Sequence, residues 1–184
     1  MSQINEIKSD SVLVNEASEG DATAFAELLA RHYDLIYRVA FRILGNQQDA
    51  EDIAQDVCVA LPNKLASFQG KSKLTTWLYQ ITLNQCRDLM RKNANSQKTQ
   101  TDFIDVHEMN HIENEQRRET LEWAYNAIDY LTAPLRETAL LVVAEGLNHA
   151  ETAEILGIKE STVSWRMMEV KKKLKAREKV EASE

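Results

Sequence analysis

The sequence predicts an all-α fold: two small helical domains joined by a flexible acidic linker, the second a helix-turn-helix domain. Three observations predict it. The 184 residues include only 5 Gly and 2 Pro, against many Ala, Leu, Glu and Lys, the better helix formers. The apolar residues recur three and four apart, the period of a helix with one buried face. That pattern lapses once, from Asn93 to about Arg118, where polar residues give way to Asp102, Asp105, Glu108, Glu113 and Glu115, a composition that cannot form a core. The expected organisation is a mobile tail (1–9), a first domain (10–95), a linker (96–118), a second domain (119–178) and a short C-terminal tail (179–184). A chain of this length suffices for one domain or two small ones.

The elements are taken in chain order. Ser11–Ala17 forms a short helix, stopped at Gly20. Asp21 is a good N-cap for a helix running to about Leu44, in which Phe25, Leu28, Leu29, Tyr33, Ile36, Tyr37, Val39, Ala40 and Ile43 repeat at helical spacing before Gly45. A third helix, about Gln48–Leu61, buries Ala50, Ile53, Ala54, Val57, Cys58 and Leu61. Pro62 lacks a backbone donor and is expected to end or bend it. After an irregular connection around Phe68-Gln69-Gly70, a fourth helix, about Leu74–Lys92, buries Trp77, Leu78, Ile81, Cys86, Leu89 and Met90. Periodicity resumes at Leu121, Ala124, Ile128 and Leu131. Thr132 caps a further helix with Pro134 in its first turn, burying Leu135, Ala139, Val142 and Val143 and ending at Gly146.

The stretch Leu147–Leu174, LNHAETAEILGIKESTVSWRMMEVKKKL, carries the most specific signal. Asn148 and Glu151 have capping-box spacing. Ala150, Ala153, Ile155 and Leu156 supply an apolar face, and Gly157 suits the left-handed stop. Ser161 or Thr162 can cap the next helix, whose Val163, Met167, Val170 and Leu174 form one buried stripe. Its opposite face presents Trp165, Met168 and Lys172, flanked by Ser164, Arg166 and Lys171. A helix anchored on one side and polar-aromatic on the other suits a DNA major groove. An ordinary helical hairpin with a solvated face is the competing account.

Charge is divided unevenly. The net charge is −7, yet residues 159–179 hold eight bases and three acids, a local +5 that leaves −12 for the remainder. A basic end on an acidic body implies phosphate as one partner and a basic protein surface as another. The acids concentrate on the third helix. Asp49, Asp52 and Asp56 form a stripe beside Glu51 and Gln55 with no Lys or Arg among them. The first turn complements the helix dipole, but Gln55 and Asp56 lie too far in for that account. On the fourth helix Thr76, Gln80, Asn84, Arg87 and Arg91 share the non-core face, preceded by Lys71 and Lys73, a set able to meet bases and phosphates.

Other classes are excluded or unsupported. No apolar run approaches the length of a membrane span and no secretory leader is present, so a soluble, cytoplasmic protein without membrane insertion is expected. Cys58 and Cys86 read as small core residues. His107 and His111 are four apart, but two ligands do not close a site. No nucleophile–base pair or phosphate loop appears, so no enzyme, cofactor or metal is expected.

The four segments together resemble a bacterial RNA polymerase sigma factor of the extracytoplasmic-function (ECF) type, over about Ser11 to Leu174. GDATAFAELLARHYDLIYRVAFRILGN is similar to that family's first conserved helix and QDAEDIAQDVCVAL to its acidic helix. FQGKSKLTTWLYQITLNQCRDLMRK is similar to the segment that opens and reads the −10 promoter element. LTAPLRETALLVVAEGLNHAETAEILGIKESTVSWRM is similar to the helix-turn-helix that reads the −35 element. The resemblance implies a region 2-like domain over 10–95 and a region 4-like domain over 119–178. It implies that Asp49, Glu51, Asp52, Gln55 and Asp56 bind the polymerase β′ clamp helices, the β subunit being a further core contact. Phe68, Gly70, Lys71 and Ser72 would accept a flipped −10 base, and Asn84, Arg87 and Arg91 would follow the non-template strand. Ser161, Thr162, Ser164, Trp165, Arg166, Met168, Glu169 and Lys172 would lie at the −35 DNA. Promoter DNA, core polymerase and, where one exists, an anti-sigma factor are the implied partners. Pro62 replaces the family's usual aromatic, which predicts an early end to the acidic helix. Ser164-Trp165 and Glu169 depart from its basic pattern and bear on −35 preference. A helix-turn-helix regulator acting without polymerase is the alternative function.

Overall fold

The computed structural model describes residues 8–96 and 131–181, and every regular element among them is helical. Most of the expected N-terminal tail, the linker after Ser96, the His107/His111 pair, the helical pattern from Leu121 to Ile128 and the last three residues lie outside the described residues. The chain divides into two compact units, Met1–Thr99 and Gln100–Glu184.

The first unit is built from α1 (Asp10–Ser18), α2 (Ala22–Leu44), α3 (Gln47–Leu65) and α4 (Leu74–Ser96). The Asp21 carboxylate accepts from the backbone N–H groups of Thr23 (2.8 Å) and Ala24 (3.1 Å). These bonds hold its carboxyl below the usual range and satisfy two donors that open α2. α2 is the central helix. Leu28, Ile36, Val39, Ala40, Phe41 and Ile43 are buried along it, and it packs against α1, α3 and α4. α1 contributes Leu13 and Val14 to the core. It is tied down by Asp10, whose carboxylate meets Arg31 (3.1 Å) and His32 Nε2 (2.9 Å) on α2.

Two expectations for this unit are corrected. α3 does not end at Pro62: the helix runs through it to Leu65. Pro62 lies on the exposed side, whereas Leu61 and Leu65 are both buried. Burial of two leucines, roughly 1.5–3 kcal/mol each, offsets the roughly 3 kcal/mol that an interior proline costs. On α4 the buried stripe is Leu74, Thr76, Leu78, Tyr79, Thr82, Leu83 and Cys86. Thr76 is therefore inside, not on the polar face. Trp77, Ile81, Leu89 and Met90 are only half-buried. Threonine fits a helix interior because its hydroxyl can bond the carbonyl one turn back, as Thr82 does to Leu78 (2.9 Å). Cys86 is fully buried, and burial pushes the Cys58 thiol up. Neither favours the reactive thiolate.

The second unit contains α5 (Ala133–Ala139), continued by a π-helical turn (Leu140–Ala144), then α6 (His149–Leu156) and α7 (Glu160–Glu181). Thr132 is the N-cap residue of α5, with Pro134 in the first turn, but its side chain makes no cap bond. The π turn explains a third correction. Glu145 N–H bonds to the Leu140 carbonyl (3.0 Å), one residue further back than in an α-helix, and the wider turn changes which way its side chains point. Val143, expected inside, is 71% exposed. Two small cores result. One joins Leu131, Leu135 and Ala139 to Val170, with Leu174 packed against it. The other joins Ala153 to Val163 and Met167, with Val142 and Ile158 alongside. α7 thus holds both cores with one stripe.

Candidate functional site

Three surfaces carry the chemistry that the sequence singled out. The first is the outer face of α3. Asn46 caps the helix, its side-chain oxygen accepting from Asp49 N–H (2.9 Å), which leaves Asp49 and Glu51 half-buried at the positive end of the helix. Gln47 donates to Glu51 (3.0 Å) and Gln48 to Asp52 (3.3 Å). Asp52, Gln55 and Asp56 are exposed, and among the described residues neither aspartate makes an ion pair. The α3 carboxylates therefore keep their charge available to an outside cation. One residue was missed: Val59, one turn beyond Gln55 and Asp56, is 78% exposed. An apolar side chain beside unpaired carboxylates gives the face a desolvating contact as well as charge. The four-residue spacing from Gln55 was visible in the sequence, but an isolated valine carries no signal of its own.

The second surface is the turn between α3 and α4 with the start of α4. Gly70 sits at φ +64 with open space about it, so only its backbone angle restricts substitution. Lys71 is exposed and Ser72 half-buried. Phe68 is not free: its ring lies against Trp77, centroids 5.0 Å apart and tilted by 45°. The pair was missed because Trp77 was assigned to the core. Asn84 is exposed, and its side-chain oxygen accepts from Arg87 (3.1 Å). Arg91 pairs with Asp88. Asn84, Arg87 and Arg91, spaced by three and four residues, share one side of α4, the first two joined by a hydrogen bond and the third paired with Asp88.

The third surface is the pair α6–α7. The capping box is complete: Asn148 accepts from Glu151 N–H (2.9 Å) and Glu151 accepts from Asn148 N–H (3.2 Å). Gly157 closes α6 at φ +66, a left-handed angle that glycine adopts without strain. α7 begins earlier than expected, at Glu160. Thr162 and Val163 N–H bond to the Lys159 carbonyl (2.9 and 3.2 Å), so Ser161 and Thr162 lie within the first turn and do not cap it. Acidic Glu160 suits that end of the dipole. The outer face carries Ser161, Ser164, Trp165 (55% exposed), Met168 (56% exposed), Lys171 and Lys172. Thr162 is half-buried at the edge. Arg166 leaves this face. The Arg166 guanidinium turns to α5, reaching Thr138 Oγ1 (3.3 Å) and the Pro134 carbonyl (3.4 Å). Glu169 is half-buried and lies 3.9 Å from Lys172. An exposed indole and thioether above a row of lysines can meet thymine methyls and phosphates together.

Residues 28–96 match the family described as Sigma-70 region 2, and residues 121–174 match Sigma-70, region 4. The ECF RNA polymerase sigma factor SigM of Mycobacterium tuberculosis is 28% identical over 167 residues, covering 91% of this chain and 83% of SigM. The chain belongs to the ECF family of RNA polymerase sigma factors. The ECF sigma factor SigW of Bacillus subtilis is 38% identical over 79 residues, covering 43% of this chain and 42% of SigW. A solved structure of CnrH in complex with the cytosolic domain of CnrY matches with a TM-score of 0.70 and 25% identity, covering 94% of this chain and 99% of that one. CnrH is an RNA polymerase sigma factor of Cupriavidus metallidurans. This sigma factor directs promoter recognition in transcription initiation. A regulator acting without polymerase is not favoured, since region 2 spans most of the first unit. Sigma factors are in general not catalysts. Among the described residues no cluster of His, Cys, Asp and Glu could hold a metal, and no helix is long and apolar enough to cross a membrane.

Proposed function

We propose that this sigma factor docks on core RNA polymerase through the outer face of α3 and reads its promoter with two separate surfaces. Asp49, Glu51, Asp52, Gln55 and Asp56 meet a basic surface of the β′ clamp helices, with Val59 added to that set. Gly70, Lys71 and Ser72 line a turn for an unstacked −10 base, and Phe68, resting on Trp77, offers it an aromatic edge. Asn84, Arg87 and Arg91 follow the separated strand. Ser161, Thr162, Ser164, Trp165, Met168, Glu169 and Lys172 face the −35 groove, while Arg166 supports the helix that carries them. The role is one of binding and positioning, without chemistry of its own, and is exercised in the cytoplasm.

The observation that carries this reading is the unpaired carboxylate face of α3 in the same chain as a helix-turn-helix. An autonomous DNA reader has no use for the first. CnrH was solved with the cytosolic domain of CnrY, which supports an anti-sigma protein as a further partner here. The test is run-off transcription with purified core polymerase on the DNA upstream of this protein's own gene. A discrete transcript that depends on the protein is expected. DNA binding without polymerase association or a transcript would restore the regulator.

A further inference from the structure

No residue of α6 belongs to the DNA-facing set, yet one of its side chains reaches that set. His149, which opens α6, places Nδ1 2.9 Å from Ser164 Oγ on α7. Ser164 Oγ also lies 3.2 Å from the Glu160 carbonyl oxygen one turn back, the bond serine commonly forms inside helices. A serine hydroxyl has one proton and two lone pairs. The carbonyl oxygen can only accept. When the proton of Ser164 goes to it, His149 Nδ1 carries the hydrogen of the second bond; in the other tautomer Ser164 donates to Nδ1. Either way the proton is spent inside the domain, and the hydroxyl keeps a free lone pair, on an exposed side chain next to Trp165.

We propose that His149 is a positioning residue that fixes the polarity of Ser164 in reading the −35 element. It turns a hydroxyl able to donate or accept into one that only accepts. The proposal rests on α7 being the −35 helix. In the major groove the base-edge donors are the amino groups of adenine and cytosine, whereas guanine and thymine offer acceptors there. A hydroxyl restricted to accepting favours adenine or cytosine at the base it meets. Without His149, the hydroxyl is held only by the longer contact to the Glu160 carbonyl (3.2 Å), a bond it can exchange for one to guanine or thymine, and the preference relaxes. The sequence could not show this, because the two residues are 15 apart and meet only through the packing of α6 on α7.

The test uses the full chain with core RNA polymerase, selecting active promoters from a library with a randomised −35 element and a fixed −10 element. At one position the wild type is expected to favour adenine or cytosine about fivefold, the worth of one neutral hydrogen bond. His149→Ala and Ser164→Ala should both erase that preference, at the same position and no other. His149→Gln, whose amide still donates, should keep it. Wild-type preference in His149→Ala, or a change at a different position from that of Ser164→Ala, overturns the positioning role while leaving the reading of α7 intact. Should His149→Ala lose helicity, an unchanged preference in Ser164→Ala overturns it equally. A wild-type holoenzyme that transcribes but selects no −35 sequence overturns the reading of α7, and this proposal with it.

Discussion

Helix α3 and helix α7 are both long, each with one buried stripe, but their outer polar groups are used differently. On α3, Asp52 and Asp56 reach no cation among the described residues, and Val59 stands beside them in solvent. On α7, Arg166 bonds to α5, Ser164 is held by His149, and Glu169 lies near Lys172. A face whose charges are unmet within the domain is defined by one helix alone. A face whose polar groups are partly engaged by neighbouring elements has its remaining specificity set by what those neighbours leave over.

The largest expected effect tests the α3 side. Replacing Asp52 and Asp56 together by Lys should abolish co-elution with core polymerase while circular dichroism stays unchanged, each contact being worth about 2–5 kcal/mol if buried at the interface. Core affinity that survives the double change would mean the unpaired carboxylates are ordinary solvated charge. Next, Pro62→Ala restores a donor in the exposed stretch of α3 between two buried leucines. It should raise stability by up to about 3 kcal/mol, seen as a higher melting temperature with unchanged polymerase binding. A lower melting temperature would show that the proline shapes the helix end.

Two substitutions on α7 sharpen the other half. Trp165→Ala should weaken −35 binding by about 1–3 kcal/mol, as for one good base contact, and leave the melting temperature almost unchanged, because the indole is outside both cores. Arg166→Met should do the reverse: a loss of about 1 kcal/mol in stability from its bonds to α5, with the same preferred −35 sequence. If Arg166→Met instead changes the preferred bases, the guanidinium leaves α5 when DNA arrives, and the contrast between the helices weakens.

Much of this was legible in the chain. The caps at Asp21 and Asn148, the stop at Gly157 and the stripe Val163–Met167–Val170 depend on local backbone chemistry and helical period, which reach only a turn or two. The outer face of α3 comes from the same period, since among the described residues nothing covers Asp52, Gln55 and Asp56. What failed involved balances between distant groups. Pro62 was expected to stop a helix, but its cost is local and the compensating burial of Leu61 and Leu65 belongs to the whole unit. Thr76 was placed outside by its polarity, though a helix can satisfy its hydroxyl internally. Val143 was placed inside by its spacing, and the π turn shifted that spacing by one residue.

The sequence by itself determined the all-α class, the caps at Asp21 and Asn148, the acidic stripe and the buried stripe of α7, because each is written in residues within a few positions of one another. Only the tertiary structure decided which side chains of the expected DNA-facing sets remain available to a ligand. Arg166, Ser164 and Phe68 are engaged by Thr138, His149 and Trp77. A hydrogen bond or ring contact between such residues depends on distances of a few ångströms that only the packing of helices sets.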